Sequence, residues 1–395
     1  MTVLTALATG AVSLALVASP AAADVRHERG DLVSITPIER LTRAELATYL
    51  DNSGMDVPRT RFGTDAYRVV YRTITPQGKP TTASGLVAFP RNDDRRLRLV
   101  TFLHGTNATK NTTASRLHEA PDRARSLLFA GAGFAVAAPD YLGLGVGPGR
   151  HPYADTDSET SASIDLLQAT KKIARMRDVS LHRGVDLTGF SQGGRGALSV
   201  GRALQRGEAP GFDVHAMAPV AGPYDTLGVE LPALVDGRVT KKIATLYTAY
   251  LLTSWSYLMD LYDDPAEAFQ PRYAGTVDGL MDGTHPFPEI AAGLPGSPRE
   301  LLTDEYWELM KHPTGEFRAR LAYADQICTD WRPRAPIRMY VGSADADVPA
   351  ANAESCKAKL RQNGVHSKIV DVGPVDHNTT GVLAYPQILR WFERL

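Results

Sequence analysis

The stretch VDLTGFSQGGRGAL, residues 185–198, decides how this chain is read. An apolar run breaks at Gly189, Ser191 follows two positions on, and Gly193 and Gly194 come next before helix-forming residues resume. G-x-S-x-G is short enough to arise by chance, so its meaning depends on its flanks. GVDLTGF before the serine has the apolar content of a buried strand, and GRGALSVGRALQRG after it has the spacing of a helix. A strand running into Ser191 and a helix running out make a sharp elbow that presents the central side chain. Gly189 and Gly193 suit it because such a turn crowds the neighbouring backbone, and Gly194 adds room. The free N–H groups at the helix start favour an oxyanion there. The plainer reading is a polar residue in an ordinary strand–helix turn.

Outward from the elbow the same alternation continues. Residues 66–90 hold two β-rich stretches around Pro-Gln-Gly-Lys-Pro and read as a hairpin. LRLVTFLHG and FAVAAPDYLG are continuous apolar runs of the kind found in strands covered on both faces. Helical patterns follow each of them, SRLHEAPDRARSLLFAGAG after the first and SETSASIDLLQATKKIARMR after the second, with Ser158 or Thr160 as the expected cap of the latter. VHAMAPVAGP is a further strand. The alternation stops near Pro223 and resumes at APIRMYVGSADADVP, then runs helix (349–363), strand (HSKIVDVG) and a closing helix. Alternating strands and helices predict a mostly parallel central sheet with helices on both faces. The intervening residues 224–333 have little strand character and read as a mostly helical cap or lid insertion, flanked by core segments 24–223 and 334–395. Within it, Tyr247, Leu251, Trp255, Leu258 and Tyr262 fall on one helical face, with Leu246, Tyr250 and Leu261 on the other side.

Residues 1–23 combine an apolar run with Ala21-Ala22-Ala23 before Asp24, which reads as a cleaved signal peptide and predicts a secreted protein. In an exported chain the two cysteines, Cys328 and Cys356, are expected to form a disulfide, and neither has a metal-ligand spacing. Asn107, Asn111 and Asn378 begin N-x-S/T sequons that matter only in a glycosylating pathway. A net charge of −1, with 22% charged residues and no basic stripe, argues against a nucleic-acid partner.

A serine needs a base to take its proton, and with an elbow of this type the acid and the histidine follow in chain order. His377, in VGPVDHNTTG, directly follows the last strand, at the carboxyl end where open α/β sheets place their sites. His366 lies at the opposite end of that strand, and His285 and His312 fall in the insertion. For the acid, VGSADADVP offers Asp345 and Asp347. Asp345 comes first after the strand, and Asp347 reads better as the cap of the next helix, with Pro349 in its first turn. The oxyanion donors are expected to be the backbone N–H groups of Gln192, after the serine, and Thr106, in LHGTN. His104 reads as a buried residue tying that loop down.

HGT, GFSQGG, GSADADVP and DHN thus occur in one order, and together they resemble the α/β-hydrolase superfamily across nearly the whole mature chain. PDYLGLGVGPGRHPY (139–153) is similar to a stretch of bacterial secreted lipases and esterases related to the secretory lipase family. The resemblance implies a helical cap between the sixth and seventh strands and a Ser191–His377–Asp345 triad cleaving carboxylic esters without metal or organic cofactor. The same triad also serves serine peptidases, amidases and acyltransferases. The expected partner is a small-molecule or lipid ester, and the apolar cap helix could make transient contact with a lipid surface.

Overall fold

The computed structural model describes residues 28–55 and 59–395; the expected signal peptide lies outside them. Its centre is a nine-stranded mixed sheet of order β1-β2-β3-β5-β4-β6-β7-β8-β9. The strands are β1 (Leu32–Leu41), β2 (Thr64–Ile74), β3 (Pro80–Pro90), β4 (Arg96–Leu103), β5 (Ala135–Pro139), β6 (Ser180–Phe190), β7 (Asp213–Val220), β8 (Arg338–Val341) and β9 (Lys368–Asp371). β5, β4, β6, β7, β8 and β9 are mutually parallel, while β1, β2 and β3 join antiparallel at one side.

The apolar runs become strands because both faces of the sheet are covered. In β4, Leu99 and Leu103 face one layer and Val100 and Phe102 the other. Helices α3 (Thr156–Met176) and α4 (Gln192–Gln205), with the helix Ala351–Gln362, close the first layer. Helices α1 (Arg43–Asn52) and α2 (Pro121–Gly131), with the terminal helix His377–Phe392, close the second. Between β7 and β8 the chain runs through short helices, among them α5 (Leu231–Asp236), and one long one, α6 (Lys241–Met259). This segment has its own apolar cluster, built on Tyr250, Trp255, Phe269 and Leu301.

The structure departs from the sequence pattern at four places. A ninth strand, β1, precedes the eight read from sequence, so the helical segment separates β7 from β8. β1 hides because it is a mostly solvated edge strand interrupted at Pro37, with no buried apolar run to announce it. α3 is capped by Asp155, whose side chain accepts from the Ser158 N–H at 3.1 Å, and not by Ser158 or Thr160. α6 ends at Met259 with Asp260 in the left-handed region (φ 50°), so Leu261 and Tyr262 lie beyond the helical stripe. The helix after β8 starts at Ala351 with Ala350 as its cap, which leaves Asp347 and Pro349 outside it.

The disulfide Cys328–Cys356 is present, with Cα atoms 5.3 Å apart. It joins the end of the helical segment to the helix Ala351–Gln362, and both cysteines are buried. No helix among the described residues is long and apolar enough to cross a membrane.

Candidate active site

Ser191, Thr106, Asp345 and His377 all lie just beyond the carboxyl ends of parallel strands, β6, β4, β8 and β9 in turn. Ser191 caps α4 with φ 56° and ψ −120°, a conformation that costs a non-glycine residue on the order of 1–3 kcal/mol. The surroundings hold it there. Its N–H donates to the Val220 carbonyl at 2.9 Å, and its carbonyl accepts from the Gly194 N–H at 2.8 Å. A Cβ at Gly189 would lie 2.1 Å from the Gly193 oxygen, and one at Gly193 would lie 2.1 Å from the Leu103 oxygen. Backbone therefore passes where side chains would otherwise be, as the sequence pattern implied.

His377 opens the terminal helix, whose cap is Asp376. Its Nδ1–H donates to Asp345 Oδ2 at 2.7 Å, and its ring packs against Phe190 with centroids 4.5 Å apart. Arg125 lies over the other part of that packing, 4.4 Å from the Phe190 centroid. The second Asp345 oxygen, Oδ1, accepts from the N–H groups of Asp347 and Val348, both at 2.9 Å. Asp345 is thus held by its own loop and by the imidazole. Asp347 donates only its backbone to that arrangement, and partial burial raises its carboxyl above the usual range.

Thr106 and Ser191 line the same two cavities. Thr106 Oγ1 is hydrogen-bonded to Tyr153 Oη at 2.9 Å, and the His104 ring sits between the Gly105 carbonyl, 2.6 Å from Nδ1, and the Asp140 carbonyl, 3.1 Å from Nε2. His104 therefore does tie its loop to the end of β5. A Cβ on Gly105 would stand 3.2 Å from Ser191 Cβ, so the loop lies directly against the elbow. Asn107 and Asn378 border the wider cavity.

Sequence reasoning missed the buried polar set behind the elbow. Gln192 Nε2 donates to Glu159 Oε1 at 2.7 Å and lies 3.3 Å from His151 Nε2. His151 Nδ1–H donates to the Leu142 carbonyl at 2.9 Å, which leaves Nε2 as an acceptor toward Gln192. Burial pushes the His151 imidazole down to about 3, so it stays neutral. Arg195 reaches Glu159 at 3.5 Å and the Ala154 carbonyl at 3.1 Å. The one sequence signal was GRHPY, which carried the resemblance without revealing what His151 and Tyr153 touch.

The nine-stranded sheet, its two helical layers and the elbow after β6 are those of the α/β-hydrolase fold. Solved structures of esterases and lipases share it. The rice cell wall degrading esterase LipA from Xanthomonas oryzae superposes with a TM-score of 0.82 at 24% identity, covering 93% of this chain and 98% of that one. A Legionella pneumophila protein described as a hydrolase gives 0.83 at 25%, covering 92% and 97%. Candida antarctica lipase A in its closed state gives 0.66 at 13%, covering 93% and 82%. No protein-family model matches the chain, and no curated protein matches it.

Proposed function

We propose that this chain is a secreted serine hydrolase that cleaves carboxylic esters by acyl transfer through Ser191. The observation that carries the reading is the His377–Asp345 hydrogen bond of 2.7 Å at a cavity that the strained Ser191 also lines. With Nδ1–H committed to Asp345, His377 Nε2 is the basic nitrogen left to take a proton. Ser191 Oγ attacks the ester carbonyl as His377 takes its hydroxyl proton. The N–H groups of Gln192 and Thr106 stabilise the tetrahedral oxyanion. His377 then protonates the departing alcohol, and water releases the acid from the acyl-enzyme by the same route. The helical segment 224–333 acts as a cap whose Tyr247, Leu251 and Trp255 wall the substrate cavity. The apolar residues 1–23 and the disulfide support export.

Hydrolysis of a p-nitrophenyl ester series from acetate to palmitate, by wild type and Ser191→Ala, tests this. The wild type is expected to cleave the series, with the loss in Ser191→Ala reaching several orders of magnitude. A peak at short chains marks an esterase and a peak at long chains a lipase. Equal turnover by the variant sinks the assignment.

A further inference from the structure

Two cavities meet at Ser191. His377 lines the wider and not the narrower. On the reaction proposed above, on which this inference rests, His377 protonates the alcohol. The alcohol therefore leaves through the wider cavity, and the narrower one holds the acyl chain. Leu234, Leu251, Trp255, Met310, Leu321 and Val348 make most of its wall apolar.

One carboxyl breaks that wall. Glu230 ends the helical turn Thr226–Glu230 and is 6% exposed. Its Oε2 accepts from Asn352 Nδ2 at 2.8 Å. The Asn352 amide cannot turn around, because its Oδ1 accepts from the Asp225 N–H at 3.1 Å and its Nδ2 also reaches the Pro349 carbonyl at 3.2 Å. Glu230 Oε1 has no hydrogen-bond partner among the described residues. Among the charged groups around Glu230, Asp345 and Asp347 oppose its ionisation and Arg238 favours it; Arg195 lines the same cavity with its guanidinium toward Glu159, and Tyr153 and Tyr247 face Glu230 as neutral phenols. Burial, the largest effect, and the two aspartates push the carboxyl up to about 8. At neutral pH Glu230 is an acid, and with Oε2 accepting from Asn352 its proton belongs on Oε1. The hydroxyl of Thr248, which borders the same cavity, is buried without a partner, whereas that of Thr226 is turned to the Asp325 carboxyl. An apolar pocket that keeps unmatched donors is built for an acceptor on its ligand.

We propose that Glu230 is a specificity-determining residue whose O–H donates to an oxygen carried on the acyl chain, so that preferred substrates are esters of oxo- or hydroxy-acids over plain fatty acids.

The test compares p-nitrophenyl levulinate with p-nitrophenyl isocaproate, near-isosteres in which a ketone oxygen replaces a methyl group. Each kcat/KM is divided by that ester's rate with hydroxide. At pH 7 the wild type is expected to favour levulinate by about tenfold or more, and Glu230→Leu to bring the ratio near one. Glu230→Gln keeps a donor toward the pocket, so its preference persists and stays flat from about pH 6 to about pH 10. In the wild type the preference falls above pH 8, as the acid ionises and a ketone can no longer accept from it. The Gln comparison stands even if Glu230→Leu fails to fold. A wild-type ratio near one, or a wild-type ratio that is pH-independent and equal to that of Glu230→Gln, overturns the role of Glu230 while ester hydrolysis stands. Failure to cleave either ester, with Ser191 unreactive toward a fluorophosphonate, overturns the hydrolase reading and this inference with it.

Discussion

Asp345 and Asp347 stand two positions apart beyond the carboxyl end of β8, yet their carboxyls meet different neighbours. Asp345 accepts from His377 and from two backbone N–H groups, which fix its carboxyl in place. Asp345→Asn is therefore expected to lower kcat by about four orders of magnitude, through the wrong tautomer, and Asp347→Asn by far less. Steady-state kinetics on one ester checks this, and the reverse ranking would move the acid to Asp347. The placement of Ser191, His377 and Asp345 at one end of the sheet was legible in the sequence because each follows an apolar strand run. Glu230, Glu159 and His151 were not. Their contacts arise from burial by segments distant in sequence, which no local pattern records.

At the scale of elements, strands buried on both faces were readable, since unbroken apolar content has few other meanings. Solvated β1 was not, and neither was the start of the helix after β8. There Asp345 Oδ1 accepts from the N–H groups of Asp347 and Val348, and the helix begins only at Ala351, without a side-chain cap. The disulfide expected from export joins two elements that pack together in the fold, across a separation of 28 residues. Closing a loop of that length stabilises by about 3.5 kcal/mol through the unfolded chain. A Cys328→Ser/Cys356→Ser variant should lose about that much in denaturant unfolding. An unchanged midpoint would mean the bond constrains nothing the fold does not already hold.

At the scale of the whole molecule, the sheet, its helical layers and the segment between β7 and β8 enclose a carboxyl that water would otherwise ionise. Glu230 titrates near 4.5 when exposed and at about 8 in the fold, because burial disfavours its anion. The native state holds that proton more tightly than the unfolded chain. Its contribution to stability is complete below about pH 4.5 and is lost as pH rises through about 8. The Tm of the wild type relative to Glu230→Gln should fall across that window, and parallel profiles would contradict the burial argument. Whether Ser191 is the nucleophile is read by mass spectrometry of the chain after treatment with a fluorophosphonate. One adduct is expected, on the peptide containing Ser191, lost in Ser191→Ala and strongly slowed in His377→Ala. An unmodified Ser191 in the folded wild type, or an equal adduct in His377→Ala, would contradict that assignment.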